Sequence, residues 1–316
     1  MTTSALQVKP PAVSTVLDKT AVMLVIVAGV VAALHVGKGP IALPEMQHVF
    51  DRSLAELSNI LSMFAVVGVI AGMVAGILAQ RFGDRRMLIV GLVILGLASL
   101  AGAIATSYAW LITTRIVEGL GFLMVVVAAP SALNRLTPPA QRSIVFGFWG
   151  TFMGIGIALS MLLGPLLNGW RQLWLLDGSL AIIIAMCVGF RVPAASGTHA
   201  RTNVTQDVYS VLKSRPVVLL AFAFAVYNLQ FFAMMSFLPS FLMQKVGLSM
   251  PQAGMASAAI VLANAAGNVL GGLSLQRGFE PTRLMMLGYI LSGLLGILAV
   301  TVRPAPSPDS PPNWPR

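Results

Sequence analysis

The stretch GILAQRFGDRR, residues 76–86, separates two long apolar runs. On its N-terminal side, Gly68, Gly72 and Gly76 place small residues along one face of a helix, which lets another helix approach closely inside lipid. On its C-terminal side, the arginines of the stretch lead directly into the next apolar run. A short cationic turn between two apolar helices is typical of a cytoplasmic loop. The stretch therefore predicts two membrane helices joined by a tight cytoplasmic turn.

The composition of the whole chain agrees with a membrane protein. Of its 316 residues, 57% are hydrophobic and 9% are charged, whereas a soluble domain has about 25% charged residues. The net charge of +10 comes from residues in short segments between apolar runs, so membrane orientation explains it better than nucleic-acid binding. The single cysteine, Cys187, lies in an apolar run and predicts neither an internal disulfide nor a metal site. We expect a lipid bilayer around the protein, no nucleic-acid partner, no metal and no cofactor.

Three sequence patterns resemble the major facilitator superfamily of transporters. Residues 76–86 are similar to its signature loop, Gly-x-x-x-Asp-Arg-x-Gly-x-Arg-Arg, although a glutamine stands where the family has its acidic residue. The residues assigned to this loop are Gly76, Gln80, Arg81, Gly83, Arg85 and Arg86. An arginine followed by a glycine-rich face, beginning at Arg115, resembles the motif of the fourth helix. Spaced glycines that include Gly154 and end in Gly164-Pro165 resemble the motif of the fifth helix.

The apolar runs divide the chain into two unequal halves. Leu43-Pro44, at the predicted end of the first helix, and Leu238-Pro239, at the predicted end of the seventh, are equivalent features about 195 residues apart, which indicates an internal repeat. Parallel repeats relate the two halves of major facilitator proteins. We predict a cytoplasmic N-terminal tail at 1–19, a first half of six helices at 20–192, a cytoplasmic linker at 193–215, an incomplete second half of three helices at 216–302 and a proline-rich tail at 303–316. The resemblance implies an all-α membrane protein, a major facilitator-type helical bundle with about nine transmembrane helices of an expected twelve.

The distribution of loop charge predicts the orientation of the chain. Lysine and arginine concentrate in the N-terminal tail, in residues 76–86, in residues 134–142 and in the linker. The acid-rich segment Glu45–Asn59 is predicted as an outer loop. Because cytoplasmic loops carry the excess of positive residues, we expect a cytoplasmic N-terminus in a bacterial inner membrane.

Polar residues inside apolar runs are the candidates for substrate binding, because ionisable groups within a membrane are costly and often line a pathway. Lys38 has an alternative, since it is near enough to the outer interface to be a solvated charge. Arg115 and Glu118 share a helical face, so a structural ion pair is the alternative there. For each of the other polar groups, a hydrogen bond between helices is the alternative and is favoured over a ligand contact. The candidates are His35, Lys38, Arg115, Tyr227, Asn228, Gln230 and Asn264.

Two acids are candidates for proton coupling. Glu118 lies deep in the fourth apolar run, where a carboxylate can lose its proton on one side of the membrane and regain it on the other. Asp177 lies closer to the outer end of the sixth run, and ordinary solvation there is an equal alternative.

The resemblance implies secondary transport of a small solute by alternating access, as a symporter or antiporter, and no enzymatic activity. The basic candidates favour an organic or small inorganic anion, and the first helix is loosely similar to the cyanate and nitroimidazole branch. Two alternatives stay open: a membrane sensor or assembly partner that does not transport, and an inactive fragment truncated after the ninth helix. We expect such a fragment not to transport by itself unless two copies complete each other as a homo-oligomer.

Overall fold

The computed structural model describes residues 17–194 and 213–301, and within these ranges the protein is helical without any strand. Most of the predicted N-terminal tail, linker and C-terminal tail lies outside the described residues. The helices are α1 (Lys19–Phe50), α2 (Leu54–Leu57), α3 (Asn59–Phe82), α4 (Asp84–Ala103), α5 (Tyr108–Leu136), α6 (Arg142–Trp149), α7 (Phe152–Leu163), α8 (Trp170–Arg191), α9 (Arg215–Lys245), α10 (Met250–Gln276) and α11 (Pro281–Thr301).

Eight helical stretches in the described ranges are long and apolar enough to cross a membrane. Spanning a bilayer takes about 20 predominantly apolar residues. These stretches correspond to the first eight predicted spans, with α6 and α7 forming one of them between Pro139 and Leu166. Helix α11 lies at the position of the predicted ninth span. The prediction of an all-α membrane bundle is confirmed.

The chain divides into two compact units, residues 1–269 and residues 270–316. The first unit contains α1 to α9 and most of α10, and its apolar core includes Val25, Leu92 and Val125, which are fully buried. The second unit contains the end of α10 and α11. There, Arg283 Nε lies 2.9 Å from Glu280 Oε2 in a solvent-exposed ion pair at the start of α11.

Glycines allow the helices of the first unit to cross at short distance. Helix α4 meets α5 at Gly91, where an added methyl group would lie 2.9 Å from the carbonyl oxygen of Gly121. Helix α4 meets α8 at Gly178, where an added methyl group would lie 2.9 Å from the carbonyl oxygen of Gly96. Side chains larger than hydrogen would push these backbones apart, so close packing here depends on glycine.

The small face of α3 has different surroundings. A methyl group added to Gly68, Gly72 or Gly76 would meet no atom of the described chain within 4 Å. The close helix contacts of the first unit therefore involve glycines such as Gly91 and Gly178, and not the three glycines of α3.

Helix α1 continues beyond its predicted end at Leu43. It runs through Pro40 and Pro44 to Phe50, so part of the predicted outer loop is helical. A proline removes one backbone hydrogen bond from a helix, but packing against neighbouring helices can outweigh that loss. The extension places Glu45 beside the N-terminus of α8, where its Oε2 accepts a hydrogen bond of 2.8 Å from Trp170 N. A carboxylate at this end of a helix interacts favourably with the helix dipole.

Candidate functional site

Five ionisable side chains of α1, α5 and α8 are buried in the first unit, where α1 packs against both α5 and α8. These residues, which we call the charge cluster, are each at most 1% exposed: His35, Lys38, Arg115, Glu118 and Asp177. Burying charge is expensive unless each group finds a partner of opposite charge or a hydrogen bond. Within the described ranges, no group of histidine, cysteine, aspartate and glutamate side chains is arranged to hold a metal ion. Ion pairs and hydrogen bonds join members of the cluster to each other and to Ser99.

Glu118 is the centre of the charge cluster. Its Oε2 lies 2.6 Å from Arg115 Nη1, 3.0 Å from Lys38 Nζ and 3.3 Å from His35 Nδ1. Its other oxygen, Oε1, has no hydrogen-bond partner in the described part of the chain. The carboxylate thus brings basic groups of α1 and α5 together through a single oxygen.

Lys38 is completely buried, so its interpretation as a solvated charge at the outer interface is wrong. Its ammonium donates a hydrogen bond of 2.6 Å to Ser99 Oγ, lies 3.1 Å from His35 Nδ1 and lies 4.4 Å from the centre of the Trp174 ring. The reason is the length of α1. Because this helix continues to Phe50, Lys38 lies in its interior and not near its end.

Asp177 is also completely buried, so its interpretation as an ordinary interfacial acid is wrong as well. It lies beside Gly178, where α8 packs closely against Gly96 of α4. Neither of its carboxylate oxygens has a hydrogen-bond partner among the described residues. Lys38, Glu118 and Arg115 interact with it electrostatically. A buried carboxylate without a hydrogen bond is rare and requires an explanation.

Arg115 connects the charge cluster to a cavity. Its Nη1 also donates to the carbonyl oxygen of His35 at 3.0 Å, and its Nε donates to the carbonyl oxygen of Ile60 at 3.3 Å. The guanidinium carbon lies 4.4 Å from the centre of the Phe64 ring. Its Nη2 makes no hydrogen bond to any residue that the structure describes.

The cavity has a volume of about 710 Å³ and is bordered by α1, α3, α5, α7 and α9. This size falls within the range of about 300–1,000 Å³ that is usual for small-molecule sites. Apart from Arg115, its polar lining side chains are Ser58, Ser62 and Ser236, and the remaining lining is apolar or glycine. A single cationic group thus faces a largely apolar space.

The other predicted substrate-binding residues do not border this cavity as the described chain forms it. His35 and Lys38 lie in the charge cluster behind Arg115. Asn264 Nδ2 donates to Tyr227 Oη at 2.9 Å, and Asn228 Nδ2 donates to the carbonyl oxygen of Phe224 at 2.8 Å. Gln230 is half-buried on α9. Of these four polar residues, the structure joins Tyr227 and Asn264 in a hydrogen bond between α9 and α10.

The predicted signature loop forms a sharp junction between α3 and α4. Gly83 adopts a φ of 82°, which favours glycine, and directly precedes α4. Arg81 and Arg86 are exposed, Gly76 is half-buried, and the side chain of Gln80 lies outside the described part of the structure. Arg85 Nη2 donates to the carbonyl oxygen of Gly189 on α8. The loop thereby connects three helices.

The sequence did not predict an ion pair that lies beside this loop. Asp84, which is 6% exposed, accepts two hydrogen bonds of 2.8 Å from Arg135 Nε and Nη2. Such a two-point contact between a guanidinium and a carboxylate is both strong and directional. The available signal was an acid in the first turn of α4 and an arginine in the last turn of α5. The pair joins these two helices at the loop end of the bundle.

The residues of the predicted fifth-helix motif pack against α1 and α10 in the first unit. A methyl group added to Gly154 would lie 2.7 Å from Ala265 Cβ on α10, and one added to Gly164 would lie 2.9 Å from Ile41 Cγ2 on α1. Pro165 Cγ lies 3.0 Å from the position of a methyl group added to Gly254. The motif therefore sets how closely α7 approaches the helices on either side of it.

Residues 23–310 match the family model described as Major Facilitator Superfamily. The chain is 28% identical over 250 residues to a hexuronate transporter of Bacillus subtilis, covering 73% of this chain and 58% of that protein. It is 26% identical over 284 residues to a 4-hydroxybenzoate transporter of Pseudomonas aeruginosa, covering 76% of this chain and 62% of that protein. The chain thus spans less than two thirds of the length of these relatives.

The fold is similar to that of a solved bacterial homologue of the human lysosomal transporter Spinster. The TM-score is 0.65 at 19% identity, and the match covers 84% of this chain and 64% of that one. The relatives are transporters and not enzymes. Together with the apolar helices described above, the family match shows that this chain is a multi-pass integral membrane protein and belongs to the Major Facilitator Superfamily.

Proposed function

We propose that the protein carries out secondary active transport of a small anion by alternating access. The observation that carries this proposal is Arg115, which borders the cavity with a donor nitrogen that no described residue occupies. A guanidinium with an unused donor in an apolar space binds an anion well, because the surrounding low dielectric strengthens the attraction. Two relatives are named as transporters of hexuronate and of 4-hydroxybenzoate, and both of these solutes are carboxylates.

The charge balance of the cluster supports coupling to protons. Lys38 and Arg115 contribute two positive charges, and Glu118 and Asp177 contribute two negative charges when both are ionised. His35 is taken as neutral, because its Nδ1 lies 3.1 Å from the Lys38 ammonium and can accept a hydrogen bond there. A proton on Asp177 would leave one net positive charge, which a bound monoanion would neutralise. Proton and anion would therefore bind more favourably together than separately.

Of the two proton-coupling candidates, we propose that Asp177 carries the proton. Glu118 is held by the charged groups of Lys38 and Arg115, so protonating it would disrupt the cluster. Asp177 makes no hydrogen bond in the described part of the chain, so gaining a proton disrupts no such contact. The charged groups around it are Lys38 on α1 and Arg115 and Glu118 on α5, while α4 contributes the uncharged Ser99 to the same region.

The orientation and the surroundings of the protein belong to the same proposal. The positive loops favour a cytoplasmic N-terminus in a bacterial inner membrane. The open small face of α3 is compatible with a homo-oligomer, which the mass of the detergent-solubilised protein would test. The similarity of the first helix to the cyanate and nitroimidazole branch stays a prediction.

Uptake into liposomes tests the proposed transport. Because the chain spans 58% and 62% of the two relatives, the activity of a whole transporter is itself part of the proposal. The purified protein in liposomes should take up labelled benzoate or glucuronate saturably, and a protonophore should abolish accumulation driven by an inward proton gradient. Binding without uptake would instead favour a sensor or an inactive fragment.

A further inference from the structure

We propose that the ligand of the cavity is an aromatic monocarboxylate. This inference rests on the proposed function, because it takes the cavity beside Arg115 as the solute site, and it names the class of solute. It chooses between the solutes named for the two relatives and favours the aromatic one over the sugar acid.

The free donor of Arg115 sets the charge of the ligand. Its Nη1 and Nε are engaged by Glu118, His35 and Ile60, which leaves Nη2 for the solute. The one guanidinium on the lining is a match for a single carboxylate. A second negative group on the ligand would find no second cation on the lining formed by the described residues. The site therefore favours a monoanion.

The apolar lining determines what kind of uncharged group the ligand should carry. Phe64 and Phe122 both border the cavity, and their ring centres are 5.2 Å apart with planes inclined by 50°. Helix α9 contributes Phe232 and Phe237 to the lining. Rings in such tilted arrangements attract each other through their edges and faces, so an aromatic ligand would extend the existing contacts. The methionine side chain of Met235 adds a polarisable sulfur that packs well against a ring.

The scarcity of polar partners sets what the cavity rejects. Ser58, Ser62 and Ser236 are the uncharged polar side chains on the lining, and all three are small. A sugar acid carries several hydroxyl groups, each of which loses water on entering. Hydroxyl groups that lose water without gaining a partner weaken binding strongly. The cavity should consequently prefer a bare aromatic ring to a hydroxylated ring with the same carboxylate.

Binding to the purified full chain in detergent tests this ligand class by equilibrium dialysis with three probes. Benzoate has the ring and the charge, glucuronate has the charge on a hydroxylated ring, and benzamide has the ring without the charge. We expect benzoate to bind at least about tenfold more tightly than either of the others, since each of them lacks one recognised feature. Equal or tighter binding of glucuronate or benzamide, or no benzoate binding at millimolar concentration, would overturn the proposal.

Two variants identify the cavity as the place of binding. Phe122→Leu keeps an apolar side chain and removes the ring, and we expect it to weaken benzoate several-fold while glucuronate changes little. Phe237→Leu, at a more exposed position, is the second variant if the first does not fold. Phe148→Leu, at an exposed position outside the cavity lining, is the matched control and should leave benzoate binding within about twofold. Unchanged benzoate binding in the folded phenylalanine variants would contradict the assignment.

The outcomes separate this proposal from the proposed transport. Selective benzoate binding without uptake would support the ligand class and count against transport. Proton-driven uptake of glucuronate in preference to benzoate would support anion transport and overturn the ligand class.

Discussion

Arg115 and Glu118 lie one helical turn apart on α5, and their ion pair of 2.6 Å uses only one of the three nitrogens of the guanidinium. The guanidinium also donates hydrogen bonds to two backbone carbonyl oxygens, that of His35 on α1 from Nη1 and that of Ile60 on α3 from Nε. These contacts engage Nη1 and Nε and leave Nη2 without a hydrogen-bond partner among the described residues. A structural ion pair and a binding site, which the sequence presented as alternatives, are compatible in this geometry.

Replacing Arg115 should abolish anion recognition. In Arg115→Gln we expect benzoate affinity to fall at least about tenfold, because the amide keeps a contact to Glu118 but has no charge. Arg115→Lys should restore little, since one ammonium cannot reach Glu118, two carbonyl oxygens and a ligand together. Arg86→Gln, at an exposed loop position, is the control. Wild-type benzoate affinity in a folded Arg115→Gln protein would contradict the role of this residue.

The pH dependence of anion binding should depend on Asp177. If a proton on this carboxylate accompanies the anion, benzoate affinity in the wild type rises as pH falls through the titration of Asp177. Asp177→Asn mimics the protonated form, so its affinity should stay high and lose this pH dependence. In liposomes the variant should still exchange anion but should not accumulate it with a proton gradient. A wild-type pH profile in Asp177→Asn would show that the proton binds elsewhere.

Glu118→Gln should have a different effect, mainly on stability. Removing the charge leaves Lys38 and Arg115 without the carboxylate that both contact. Breaking a buried ion pair by removing one partner costs about 3–5 kcal/mol of folding free energy. We therefore expect a clear loss of thermal stability in detergent, whereas Asp177→Asn should be nearly neutral. Equal stability of the two variants would contradict the difference in their surroundings.

The ion pair between Asp84 and Arg135 should stabilise the loop end of the bundle. Arg135→Gln removes both contacts to a buried carboxylate and should cost about 1–3 kcal/mol. Arg81→Gln, which changes an exposed arginine of the same loop, should be within about 0.5 kcal/mol of the wild type. The double variant Asp84→Asn with Arg135→Gln should lose less stability than the sum of the two single changes. Additive losses would mean that the pair is not coupled.

Two glycines of the same bundle offer a matched test of packing. A methyl group on Gly119 would collide with the carbonyl oxygen of Phe64, whereas one on Gly72 would meet no described atom within 4 Å. Gly119→Ala should therefore destabilise the protein by about 1–3 kcal/mol and widen the contact between α3 and α5. Gly72→Ala should be neutral or slightly stabilising, because alanine favours helix. Similar thermal stability of the two variants would contradict these helix contacts.

Cysteine labelling tests the orientation. In a Cys187→Ser background, Arg86→Cys places a thiol on the exposed loop. If the loop is cytoplasmic, an impermeant maleimide should label it in opened cells and leave it unlabelled in intact ones. Labelling of intact cells would reverse the orientation that the positive loops predict.

The membrane helices were predictable because a long apolar run is a local signal that needs no knowledge of neighbouring segments. The depth of a charged residue is not local. Lys38 was predicted near an interface because α1 was expected to end near Leu43. Asp177 was predicted there because the sequence does not show which face of α8 packs against α4. The Asp84–Arg135 pair joins residues 51 positions apart, so only the packing of α4 against α5 brings them together.

The course of α1 through Pro40 and Pro44 has a mechanical consequence. Neither proline has a backbone N–H, so the carbonyl groups of Val36 and Pro40 cannot receive the usual helical hydrogen bond. Both of these residues border the cavity. Helix α1 therefore has fewer backbone hydrogen bonds beside the cavity than in the rest of its length. It can bend at this point with little further loss of backbone hydrogen bonds. A solute bound in the cavity would contact this flexible segment of α1, which is the longest helix in the described chain.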